Sequence, residues 1–264
     1  MALDDVAEKA IRHPCRTVVF MAVITQPKLV VALDLERFDA ASAVVELLAP
    51  LGVWFKVGYE PLYGYGDAIR AKLEALNANV FLDAKMHDIP RTVEAGVRAL
   101  VRPGVRIITV HALGGNEMLQ AAVAGATERA EQLGIEAPEI FAITLLTSIA
   151  PEDLGELGLQ GGPGENVMRL AALARDARCA GVVCSPHEAR DLKAYFGADF
   201  KVLCPGVRPA GAAHGDQKRV ATPQSAVEAG ADYLVVGRPI VRAPDPVAAA
   251  RAILEEMDVA ARAR

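Results

Sequence analysis

Eight short apolar runs punctuate the chain: Lys28 to Leu33, Val53 to Val57, Val80 to Ala84, Arg106 to Val110, Ile140 to Leu145, Gly181 to Cys184, Lys201 to Leu203 and Tyr233 to Val236. Each is short and rich in Val, Leu or Ile, the pattern of a strand buried on both faces. Between them, apolar residues recur at helical spacing over Ala40 to Leu48, Gly66 to Leu76, Arg91 to Val101, Asn116 to Gln132, Asn166 to Arg178 and Pro186 to Tyr195, and then over Pro223 to Ala229 and Pro246 to Ala261. Strict strand–helix alternation predicts a parallel sheet, and eight units allow it to close into a (β/α)8 TIM barrel. No stretch rich in Pro, Gly and Ser divides the chain. The expectation is an N-terminal extension over 1–26, its Ala-rich first half helical, followed by one catalytic barrel domain over 27–264.

Active sites of such barrels lie at the C-terminal ends of the strands. That edge here carries Asp34, Lys56, Asp83 with Lys85, His111, Thr147 with Ser148, Ser185, Arg208 and Gly237-Arg238. The densest chemistry is in Phe81-Leu82-Asp83-Ala84-Lys85-Met86-His87-Asp88-Ile89-Pro90. On a strand, Asp83 and Lys85 would share a face about 7 Å apart at the backbone, with Asp88 reaching the same ammonium from the following loop. Buried ions cost several kcal/mol each unless well paired, so the cluster suits a site better than a core. The bland alternative is a structural ion pair, with Asp88 capping the next helix.

A second signal lies near the end of the chain. Loops after the last two strands of these barrels bind phosphate through backbone N–H groups, and Val235-Val236-Gly237-Arg238-Pro239-Ile240 fits that role, Arg238 adding charge-assisted hydrogen bonds. The connection from Pro205 to Thr222 is long and glycine-bearing, with Arg208, Gly211, Gly215 and Gln217, as lids often are.

Composition narrows the class further. Hydrophobic residues make up 52% and aromatics only 5%, as expected for buried parallel strands under Ala-rich helices. The net charge of -5 and the lack of any basic run argue against nucleic acid as the main ligand. Cys15, Cys179, Cys184 and Cys204 form no CxxC pair and no zinc-finger spacing, so they read as reduced thiols of a cytoplasmic protein. No run approaches the roughly 20 apolar residues of a membrane helix. Met21-Ala22-Val23-Ile24 leads directly into the first strand and offers an alternative start.

The chain resembles the orotidine 5'-monophosphate decarboxylases from Leu29 to the last helix. The resemblance rests on Val30-Val31-Ala32-Leu33-Asp34, Phe55-Lys56-Val57-Gly58, the segment Phe81 to Pro90, Val110-His111-Ala112, Leu146-Thr147-Ser148, Val183-Cys184-Ser185, Pro205-Gly206-Val207-Arg208-Pro209, Gly215-Asp216-Gln217 and Val236-Gly237-Arg238-Pro239. The Asp-x-Lys-x-x-Asp element is shared with sister phosphosugar enzymes, whereas Gly-Asp-Gln and Leu-Thr-Ser are more particular to the orotidylate enzymes.

The resemblance implies cofactor-independent decarboxylation of orotidine 5'-monophosphate to uridine 5'-monophosphate, the last step of UMP biosynthesis, with no metal. It implies that Lys85 stabilises and protonates the carbanion at C6, held by Asp83, Asp88 and Lys56. Asp34 and Lys56 would meet the ribose and Thr147 and Ser148 the pyrimidine. Gln217, Gly237 and Arg238 would hold the phosphate, with Arg208 beside them. Asp88 and Thr92 would enter the site of a neighbouring subunit, making a homodimer with two shared sites. His111 reads as a hydrogen-bonded supporting residue and His87 as structural; Cys184 and Cys204 read as small buried hydrophobes. Two rivals stay open: a Mg2+-dependent phosphosugar decarboxylase or synthase, and a catalytically silent barrel that binds a phosphorylated ligand.

Overall fold

The computed structural model describes residues 26–209 and 221–263; residues 1–25 of the expected extension over 1–26, with Cys15 and Met21, residues 210–220, with Gly211, His214, Gly215 and Gln217, and Arg264 lie outside the described residues. Eight parallel strands pair in sequence order: β1 (Lys28–Ala32), β2 (Trp54–Val57), β3 (Val80–Met86), β4 (Val105–His111), β5 (Glu139–Ile143), β6 (Gly181–Val183), β7 (Lys201–Cys204) and β8 (Tyr233–Val236). β8 pairs back onto β1, Val30 opposite Val235, and closes the barrel. The eight apolar runs thus became the eight strands, with no end shifted by more than two residues.

The helices are α1 (Phe38–Leu48), α2 (Tyr59–Ala75), α3 (Pro90–Leu100), α4 (Gly115–Leu133), α5 (Pro163–Asp176), α6 (Pro186–Phe196), α7 (Pro223–Glu228), α8 (Arg238–Val241) and α9 (Pro246–Arg262). Proline in the first turn starts α3, α5, α6, α7 and α9, where its missing N–H leaves no intrahelical bond unmade. Side-chain caps complete three of these starts: Thr222 accepts from the Ser225 N–H, Asp245 from the Ala248 N–H, and Ser185 from the His187 N–H. Ser185, counted from sequence among the polar residues of the site edge, therefore works as the α6 cap.

Alternation along the strands divides the core in two. Val30, Ala32, Phe81, Ile107, Phe141, Leu203, Tyr233 and Val235 fill the barrel interior. Their strand neighbours, such as Leu29, Val31, Leu82, Ile108, Val202 and Leu234, join the larger core beneath the helices. Phe81 and Phe141 are fully buried, each contributing about 2 kcal/mol or more through burial. At the N-terminal mouth Tyr233 packs against Trp54 and Phe141, with ring centroids 5.3 and 5.6 Å away, and its hydroxyl donates to Glu139 at 3.2 Å.

Candidate active site

The interior rows change character toward the C-terminal end. Ala32 is followed two residues on by Asp34, Trp54 by Lys56, Phe81 by Asp83, and Ile107 by Thr109. The same strand face that packs the barrel below therefore delivers charge above. It opens into a cavity of about 460 Å3 lined by Asp34, Lys56, Asp83 and Lys85 on one side and by Ile143, Leu145, Val183, Leu203 and Val235 on another.

The charges form an alternating chain. Lys56 Nζ donates to Asp34 Oδ1 at 3.0 Å and lies 3.4 Å from Asp83 Oδ2, which also accepts from Lys85 Nζ at 2.5 Å. Asp83 Oδ1 accepts from the Thr109 hydroxyl at 3.0 Å, so both carboxylate oxygens are engaged. Lys56 and Asp83 are each only 8% exposed, whereas about half of the Asp34 side chain is open to the cavity mouth. Burial opposes the charge on Lys56, but Asp83 and Asp34 outweigh it and hold the ammonium above the usual lysine range. Burial likewise opposes ionisation of Asp83, and Lys56, Lys85 and the Thr109 hydroxyl hold it below the usual carboxylate range. Lys85 Nζ also lies 5.0 Å from the centre of the Tyr59 ring.

Asp83 and Lys85 do not meet by simple alternation. Between Leu82 and Met86 the strand β3 spends four steps where β4 spends two, from Ile108 to Val110. Within this bulge Lys85 takes φ +47°, a left-handed conformation that costs an L-residue about 1–2 kcal/mol. The Lys85 N–H, turned away from the regular ladder, donates to Thr109 Oγ1 at 3.0 Å. This is why β3 runs two residues past its predicted end at Ala84.

The cavity continues to the ends of β7 and β8, where Arg208, Gly237 and Arg238 line it together with Arg242. Arg208 is 9% exposed, and its backbone N–H donates to the Ala221 carbonyl, which fixes the base of the long connection. Gly237 lies close beneath this end: a Cβ there would sit 3.4 Å from that of Ala32. Thr147 lines the cavity; Ser148 is exposed and is not among the lining residues.

Asp88 departs from the sequence reading of a carboxylate that reaches Lys85 within the chain. It is exposed, accepts from the N–H of Ile89 at 2.6 Å, and forms no ion pair with Lys85. Thr92 is exposed on α3, and neither residue lines the cavity of its own chain. His111 makes no side-chain hydrogen bond among the described residues. Its ring instead lies 5.5 Å from that of His87, and burial, followed by His87 and Lys85, lowers its pKa. Cys184 and Cys204 are buried within the apolar core. Sequence reading missed Thr109, which is indistinguishable from a β-former in the run Ile107 to Val110, and Arg242, for which the only signal is its i+4 spacing from Arg238. Among the described residues no cluster of His, Cys, Asp and Glu is arranged to hold a metal ion, and no helix is long and apolar enough to cross a membrane.

Gly58 packs directly under the charged chain: a Cβ would fall 2.7 Å from Lys56 Nζ and 3.1 Å from Asp34 Oδ1. Because a flexible ammonium and not backbone is in the way, Gly58→Ala should fold normally and displace Lys56. Its kcat should fall about 10²-fold with little change in thermal midpoint; a kcat equal to the parent's would mean that Lys56 tolerates the shift.

Comparison with known proteins places this geometry. The family model described as Orotidine 5'-phosphate decarboxylase / HUMPS family matches residues 27–253. Orotidine 5'-phosphate decarboxylase of Moorella thermoacetica is 48% identical over 233 residues, which cover 88% of this chain and 92% of that protein. The Halorhodospira halophila enzyme of the same name is 49% identical over 240 residues, covering 91% of this chain and 100% of that protein. Among solved structures, orotidine 5'-phosphate decarboxylase from Lactobacillus acidophilus superposes with a TM-score of 0.78 at 39% identity, covering 89% of this chain and 100% of that one. The barrel, its charged strand ends and this near full-length similarity together show that the chain belongs to the orotidine 5'-phosphate decarboxylase / HUMPS family.

Proposed function

We propose that this barrel converts orotidine 5'-monophosphate to uridine 5'-monophosphate and CO2, with Lys85 as the proton donor. The observation that carries the reading is the chain Asp34–Lys56–Asp83–Lys85 along one side of a cavity whose far end bears arginines. Cleavage of the bond from C6 to the carboxylate leaves its electron pair on C6, in an sp² orbital with little resonance relief. A fixed ammonium beside C6 stabilises that charge and then transfers a proton to it, and the neutral amine regains a proton from solvent. The apolar wall from β5 to β8 gives the charge interactions opposite it a less polar surround, which strengthens them.

In this reading Asp34 and Lys56 hold the ribose, Thr147 and Ser148 the pyrimidine, and Gly237, Arg238, Gln217 and Arg208 the phosphate. Phosphate binding, remote from the reacting carbon, supplies energy to organise the reacting centre. The exposed Asp88 and Thr92 complete the site of a second copy, in a homodimer.

The test is the loss of orotate absorbance from orotidine 5'-monophosphate, with sedimentation of the same sample to read the dimer. Arg238→Ala should raise KM about 10²-fold, the value of a lost charge-assisted phosphate contact, with a smaller change in kcat. Tight nucleotide binding without turnover by the parent would favour a silent binder. No binding at all, with turnover of a phosphosugar on adding Mg2+, would favour the sister reaction.

A further inference from the structure

We propose that Thr109 is a positioning residue, whose hydroxyl holds Lys85 and Asp83 in their working relation. The inference rests on the assignment of Lys85 as the proton donor. Thr109 is completely buried on β4, at the level where β3 bulges. Its Oγ1 accepts from the Lys85 N–H at 3.0 Å and donates to Asp83 Oδ1 at 3.0 Å.

A hydroxyl has one proton and two lone pairs, so a single group can do both tasks only in one orientation. Donation to the Asp83 carboxylate fixes the proton and turns a lone pair toward the Lys85 amide. The first contact satisfies a backbone N–H that the bulge removes from the ladder and anchors the left-handed conformation at Lys85. The second holds the Asp83 carboxylate, leaving Oδ2 facing both ammoniums. One side chain thus sets the backbone from which Lys85 projects and the counterion that aims its tip. Valine has the same shape and can do neither.

The experiment compares the parent with Thr109→Val, Thr109→Ala, Thr109→Ser and Lys85→Ala, measuring kcat and KM for orotidine 5'-monophosphate, binding of uridine 5'-monophosphate, and thermal midpoint. Thr109→Val and Thr109→Ala should lose about 10²-fold in kcat, the scale of an ångström-level misplacement, with nucleotide binding little changed. Thr109→Ser, which keeps the hydroxyl and loses the methyl, should recover most of that loss. Alanine adds no apolar group against the carboxylate, so insolubility of the valine variant leaves the test intact. Parental kcat in either hydroxyl-free variant would overturn the proposal, as would a serine variant as slow as they are, or a loss of nucleotide binding equal to the loss of kcat. Parental turnover by Lys85→Ala would instead overturn the assignment on which the proposal rests.

Discussion

Lys85→Ala is expected to lower kcat by about 10⁴-fold or more while nucleotide binding is partly retained. In the proposed mechanism the ammonium serves two purposes at one carbon, stabilising the developing negative charge and delivering the proton, and the two losses multiply. Binding should survive in part because the residues proposed for the ribose and the phosphate lie on other strands. It is not untouched: without Lys85, the Asp83 carboxylate faces the substrate with one of its two cations gone. Single-turnover formation of uridine 5'-monophosphate gives the first number and titration calorimetry with the product the second. A kcat within tenfold of the parent would remove Lys85 from the chemistry. The contrast with Arg238→Ala, where capture suffers more than turnover, separates the two ends of the cavity.

Asp83→Asn should be damaging in two independent ways. The amide preserves shape but leaves the buried Lys56 with only Asp34, and deprives Lys85 of its 2.5 Å counterion. Removing one member of a buried ion network costs about 3 kcal/mol, visible as a lower urea midpoint, and misaiming Lys85 should cost about 10³-fold in kcat. A midpoint and kcat both at parental values would show the network to be dispensable. The pH dependence has a definite sign. The folded-state pKa of Asp83 lies below its ordinary 3.8, so its stabilisation is complete above that value and is lost as pH falls through the depressed one. The folded-state pKa of Lys56 lies above its ordinary 10.5, so its contribution is complete below that value and lost as pH rises through the elevated one. In Asp83→Asn the acidic loss should disappear.

Sequence revealed the barrel because strands buried on both faces, such as Val80 to Leu82, read as uninterrupted apolar runs. It revealed the charged edge because Asp83 and Lys85 have no place in such a run. Tertiary geometry supplied what periodicity could not. The bulge at Lys85 depends on a hydrogen bond from β3 to β4, and nothing in Lys85 itself announces a positive φ. The start of α2 was hidden by Gly64 and Gly66, since helical periodicity is legible only from Gly66 onward. The helix in fact begins at Tyr59 and breaks at Tyr65, whose hydroxyl donates to the Leu35 carbonyl. The roles proposed for Asp88 and Thr92 across a subunit boundary rest on family resemblance, since neither residue lines the cavity of its own chain.

The aromatic packing of Tyr233 against Trp54 and Phe141, above which Phe81, Ile107 and Leu203 fill the barrel axis, has a consequence for traffic. Among the described residues, this packing closes the chamber at its N-terminal end, and the doorway lies at the strand C-termini. In the proposed reaction, substrate would enter and both products would leave by that doorway. In the proposed pose carbon dioxide would slip past the nucleotide or wait behind it, so departure would be ordered by size before any affinity is considered.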